Sequence, residues 1–177
     1  MTVNTDKTEI VHFRPSRCKR TPFHFTFDDN ILRVVENYKY LGVYFDEHMT
    51  FMRTASALAS SSSRALGSVR YRLKFLKECR CSTFTTLYSS CICPIMDYAA
   101  GVWGTKKFDC LENVQFRAIR YFLGVHRFAP HSMLLGDIGW VPCFVRHKLA
   151  MLRLWNRLVT LPATRLTFKI FLYDFEF

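Results

Sequence analysis

The chain has 177 residues, 50% hydrophobic and 22% charged, enough for one ordinary core or two small pieces sharing one, and this excludes a compositionally disordered chain. Its 25 Lys and Arg against 14 Asp and Glu give a net charge of +11, a balance that suits a polyanionic partner such as nucleic acid or an acidic membrane surface, or simply a basic soluble surface. No stretch reaches the ~18 uninterrupted apolar residues of a membrane span, and the richest one, Leu87 to Trp103, holds Pro94 and Asp97 and reads as a buried helix.

Seven cysteines is an odd number, and the opening residues MTVNTDKTEI have neither a basic start nor a long apolar run. Both features point to an intracellular chain, cytoplasmic or nuclear, rather than a secreted one.

Up to about residue 46 the pattern is strand-like. TEIVHF alternates, FHFTF puts three Phe on one face, and ILRVV and YKYLGVYF are rich in β-branched and aromatic residues. Asp28, Asp29 and Asn30 favour a tight turn, so FHFTF and ILRVV should form a hairpin. Gly42 falls inside the last strand pattern, where glycine marks a bulge or the close approach of another backbone.

From about residue 50 the period becomes helical. Ala55, Leu58, Ser62, Leu66, Val69, Leu73 and Leu76 draw one apolar stripe down a long helix. Six basic residues, Arg64, Arg70, Arg72, Lys74, Lys77 and Arg80, stand against the single acid Glu78. A second helix runs from about Ser82 until Pro94 ends or kinks it. A third, roughly 108–123, ends at Gly124, the usual C-terminal glycine. A fourth, about 144–161, should turn Val145, Leu149, Leu152, Trp155 and Val159 inward and Arg146, Lys148, Arg153 and Arg157 outward, with Pro162 closing it. The tail RLTFKIFLYDFEF reads as a strand or a hydrophobic appendage. The fold class expected is α+β, a small antiparallel sheet in the N-terminal quarter followed by a helical bundle.

In order, VNTDKTEIVHF, a hairpin, VVENYKYLGVYFDEHMTF, LYSSCICPIMDYAAGVWG and LENVQFRAIRYFLGV resemble the C-terminal half of a reverse transcriptase of the non-LTR, LINE-type retrotransposon kind, over about residues 3–160. Asn4, Lys7 and Thr8 match the family's palm-closing pattern, and Tyr40, Leu41 and Gly42 match its primer-grip turn. The resemblance implies a division into a palm piece with primer-grip strand (1–48), thumb-like basic helices (49–104), a helical post-polymerase region (105–162) and an atypical tail (163–177). It implies that Tyr40, Leu41 and Gly42, with Arg64, Arg70, Arg72, Lys74 and Lys77, contact an RNA and DNA template–primer hybrid. A side chain at Gly42 would stand between the backbone and the primer. A bend of the strand towards the next helix would also require that glycine.

Lys7 matches a palm lysine that serves as general acid beside a metal-bound triphosphate. The parent chemistry, RNA-directed DNA polymerisation, needs two divalent metals, Mg, held by aspartates that precede this element in the family. The chain is therefore expected to lack the catalytic aspartates, to carry no cofactor and to be inactive alone. Asp28 and Asp29 imitate the family's Asp-Asp hairpin, but they follow the lysine element and read as a turn.

The pairs Cys79/Cys81 and Cys91/Cys93 have one intervening residue each, shorter than structural zinc spacing, and read as free thiols. His126 and His131 flank RFAP as polar surface groups. No Ser-His-Asp or Cys-His set emerges from spacing, and no Gly-rich phosphate loop is present. The function expected is a truncated reverse-transcriptase-like chain with residual nucleic-acid binding, with no small-molecule substrate and no membrane partner. The alternative is a non-functional remnant of a decayed retrotransposon, or a helical interaction protein. Oligomeric state stays open.

Overall fold

Strand-forming residues in the first quarter pair in short two-stranded ladders. The computed structural model describes residues 8–27, 30–75 and 79–176. Where one antiparallel sheet is predicted, the described strands make three two-stranded ladders. β1 (Glu9–Ile10) runs parallel to β4 (Arg33–Val34). β2 (Thr26–Phe27) pairs antiparallel with β3 (Asn30–Ile31), the hairpin predicted from its turn residues, although Asp28 and Asp29 themselves lie outside the described residues. β5 (Asn37–Tyr40) pairs antiparallel with β6 (Val43–Asp46). Pro15 and Pro22 fall in the irregular stretch between β1 and β2, where each removes a backbone donor that a continuous ladder would need.

The stretch 38–45 is two strands, not one. Tyr40 pairs with Val43, leaving Leu41 and Gly42 as a two-residue turn with φ of 47° and 88°. Positive φ at both central residues is the type I′ turn, whose twist matches that of the flanking strands. The glycine is thus required by the hairpin itself.

After β6 the chain turns sharply into α1 (Met52–Leu73). Met49 and Phe51 both take left-handed φ, and the Asp46 carboxylate holds the loop by accepting the N–H groups of His48, Thr50 and Phe51 at 3.0–3.1 Å. Burial pushes the Asp46 carboxyl up, but these bonds outweigh it and leave it below its ordinary value. The buried Thr54 hydroxyl accepts the Tyr44 N–H at 2.8 Å and donates to the Tyr44 carbonyl at 3.0 Å, tying α1 to β6.

Two compact units divide the chain, one up to Ala57 and one from Leu58. In the second, α1 buries Ala59, Ser62, Leu66 and Leu73, with Leu58 and Val69 half-buried, which is the predicted stripe; Leu76 lies outside the described residues. Next come α2 (Cys81–Leu87), a π-helical turn (Tyr88–Ile92) and α3 (Cys93–Met96). The predicted break at Pro94 takes the form of that wider turn, in which the Cys93 N–H reaches the Tyr88 carbonyl. The Pro94 ring leaves no room for regular helix just before it.

α4 (Ala100–Trp103), α5 (Asp109–Leu123), α6 (His131–Ile138), α7 (Cys143–Val159) and α8 (Leu166–Glu176) follow. α5 ends on Gly124 at φ 64°, as predicted. α4 falls inside the stretch 87–103 read as a buried helix, α6 is additional to the predicted elements, and the tail read as strand or appendage is helical. Phe84, Ile92, Met96, Trp103, Leu111 and Ile119 are buried at the centre of this helical unit. The chain is α+β, with short strands followed by helices. Among the described residues no helix is long and apolar enough to cross a membrane.

α7 is rotated relative to its predicted orientation. Leu149, Leu152, Trp155 and Val159 are exposed and Val145 half-buried, while Cys143 and His147 are buried and Arg146 is half-buried. Two causes lie in the neighbours. Asp97, just after α3, draws Arg146 and His147 inward. Gly104 lets the α7 backbone come so close that a Cβ there would stand 2.8 Å from the His147 Cβ.

Candidate nucleic-acid interface

The α1 surface opposite the buried stripe is Ser60, Ser61, Arg64, Gly67, Ser68 and Tyr71, all exposed or half-exposed. Taking Arg64 as its centre, Arg72 and Lys74 lie about 80° to either side and Arg70 about 120° away, near the edge of the buried sector. Arg64 donates to the hydroxyls of Ser60 and Ser61 at 3.1 and 3.0 Å, which holds its guanidinium along the helix surface. Arg70 lies 4.4 Å from the centre of the Tyr121 ring of α5, and the Tyr121 hydroxyl donates to the Arg70 carbonyl at 3.4 Å.

Three residues outside the predicted set complete the surface. Arg117 of α5 donates to the Ser63 hydroxyl and adds a cation beside α1. Tyr71 and Phe75 are 66% and 70% exposed and meet edge to face at 5.2 Å. Their signal in sequence is aromatics on the sector that carries Arg64, visible once the helical phase is drawn. Lys77, and Lys7 with Asn4, lie outside the described residues.

In the first unit, Tyr40 and Leu41 are exposed at the β5–β6 tip, Leu41 by 73%. An exposed leucine at left-handed φ carries strain that asparagine or glycine would avoid.

The most developed polar cluster lies elsewhere in the helical unit. Asp97 accepts from Arg146 at 2.8 and 3.1 Å and meets the His147 Nε2 at 3.0 Å. Arg146 also donates to the Gln115 side-chain oxygen at 2.9 Å and the Val141 carbonyl at 3.1 Å. Buried Glu112 of α5 accepts the N–H groups of Cys143 and Phe144 at 3.3 and 2.8 Å, satisfying the first donors of α7. Cys143, Arg146, His147 and Asp97 suggest a nucleophile with its base, which spacing did not reveal, but the geometry opposes it. The His147 Nε2 faces Asp97, Cys143 is buried, and that burial pushes the thiol well above its ordinary value. This cluster holds α3, α5 and α7 together.

The carboxylates Asp46, Asp97 and Glu112 are each occupied by N–H donors. Among the described residues no group of three His, Cys, Asp or Glu is placed to hold a metal ion, and Asp28 and Asp29 lie outside them. Comparison with known proteins finds no match among family models, curated proteins or solved structures.

Proposed function

We propose that the chain is reverse-transcriptase-like and binds nucleic acid, holding an RNA–DNA template–primer hybrid. The outer face of α1 carries this reading. Arg64, Arg72 and Lys74, joined by Arg117, supply cations for backbone phosphates, the small Ser and Gly side chains between them let a strand lie close, and Tyr71 and Phe75 offer ring faces to a splayed base. The resemblance of Tyr40, Leu41 and Gly42 to a primer grip supports it from the other unit, because their turn presents backbone at an exposed tip. A helical interaction protein with no nucleic-acid role is the competing reading, and the exposed apolar face of α7 favours it.

Fluorescence anisotropy with a labelled RNA–DNA hybrid across a salt series tests the proposal. Four phosphate contacts predict a log–log slope of about −3.6. The triple change Arg64→Ala, Arg72→Ala and Lys74→Ala should flatten it to about −1. A flat slope for the unaltered chain, or a triple variant that binds equally well, would sink the reading.

A further inference from the structure

Between Asn113 and Gly136 the chain has no Asp or Glu, and the connection from α5 to α6 carries His126, Arg127 and His131. Its centre is a β-turn from His126 to Ala129, closed by the Ala129 N–H on the His126 carbonyl at 3.0 Å, so Arg127 and Phe128 are its two corner residues. The connection is tied down beyond the turn. Arg120 of α5 donates to the Ala129 carbonyl at 3.4 Å, His131 stacks on buried Phe116 with ring centres 3.6 Å apart, and Pro130 fixes φ at −59° where α6 begins. A turn held in this way presents its corner side chains at little entropic cost.

Among the described residues no large apolar side chain is more exposed than Phe128, at 74%. The Arg127 guanidinium lies 4.7 Å from its ring centre, and the His126 ring lies 5.1 Å away, tilted by 50°. An exposed ring alone means little, but this one stands at a braced corner, beside a cation, at a particular end of the helical unit. Arg117 bonds Ser63 and Tyr121 meets Arg70, so α1 and α5 run in the same general direction. Lys74, Phe75 and the α5–α6 connection therefore leave the same end.

Building on the reading that the outer face of α1 holds the hybrid, we propose that this turn binds a single-stranded extension of that nucleic acid, with a base stacked on Phe128 and the adjoining phosphate against Arg127. A duplex keeps its base faces inside its own stack, so a ring at a turn corner meets only a base that has left it. The acid-free surroundings suit a phosphate chain. A lone ring between a guanidinium and an imidazole gives a bilayer little apolar area to bury, whereas every base has a face to offer it.

The test is fluorescence anisotropy of the full chain with labelled RNA–DNA hybrids of one sequence: blunt, with an extension of about six nucleotides at the 3′ or the 5′ end, and with the same extension made abasic. One of the extended hybrids should bind about tenfold tighter than the blunt one, roughly what stacking of a base contributes, and its abasic counterpart at most about twofold tighter. Phe128→Ala should remove most of that gain, and Phe128→Trp should keep it. Equal binding of blunt and extended hybrids overturns the proposal and leaves the α1 reading standing. Binding of the extended hybrid alone, lost in Phe128→Ala, supports the turn and overturns the α1 reading, and no binding of any hybrid overturns both. A gain that survives Phe128→Ala, or that the abasic extension reproduces, also overturns the proposal. If the extension brings no gain, binding of phosphatidylserine vesicles that is lost in Phe128→Ala assigns the ring to a membrane surface instead.

Discussion

Arg146 grips Asp97 with two parallel bonds, Nε to Oδ2 at 2.8 Å and Nη2 to Oδ1 at 3.1 Å, and this pair fixes which face of α7 points inward. The His147 ring nitrogen shares Oδ1 at 3.0 Å. Burial pushes the Asp97 carboxyl up, yet the hydrogen bonds from His147 and Arg146 prevail and hold it below its ordinary value.

Breaking this pair should cost more than removing it. Arg146→Ala is expected to lower stability by about 3 kcal/mol because it leaves a half-buried carboxylate without its main partner. The double change with Asp97→Ala should cost less than the sum of the single changes. Urea denaturation of the four proteins in the cycle measures both, and an Arg146→Ala cost below about 0.5 kcal/mol would mean that the pair is a solvated surface contact.

Two glycines should respond oppositely to the same substitution. A Cβ on Gly104 would stand 2.6 Å from the Ala100 carbonyl oxygen and 2.8 Å from the His147 Cβ, so Gly104→Ala should destabilise by about 1–3 kcal/mol. Gly67, exposed within α1, has nothing within 4 Å of such a Cβ, and Gly67→Ala should stabilise by about 1 kcal/mol. Thermal melts of both variants check the pair of signs.

The β5–β6 tip should trade stability against binding. Leu41→Asn, which tolerates left-handed φ and removes an exposed apolar side chain, should stabilise by about 0.5 kcal/mol while weakening hybrid affinity if the tip meets nucleic acid. Gly42→Val should destabilise by more than 1 kcal/mol, roughly the cost of a branched side chain at φ 88°. Unchanged hybrid affinity in a folded Gly42→Val chain would remove the primer-grip role.

Asp46 should make the β6–α1 junction acid-sensitive. Its value is lower in the folded chain than in the unfolded one, so its contribution is present above the unfolded value and is lost as pH falls through the folded value. Stability should therefore decline below about pH 4, and Asp46→Asn should be less stable near neutrality and decline less steeply below that pH. Urea midpoints from pH 3 to 7 compare the two proteins, with parallel curves speaking against the role.

The sequence by itself determined the parts of this fold whose cause is local. The α1 stripe follows from the spacing of Ala55, Ser62, Leu66 and Leu73, the end of α5 from Gly124, and the β2–β3 hairpin from its turn residues. The Leu41-Gly42 turn was hidden because leucine is a poor turn former and the apolar pattern runs straight through it. Only the tertiary structure decided the rest. α7 has two apolar faces, so periodicity alone cannot say which is buried. Asp97 and Gly104, distant in sequence, choose the face that Arg146 and His147 share. The choice is made by a charge that must be paired and a backbone that can come close, and neither leaves a mark in the period of a single helix.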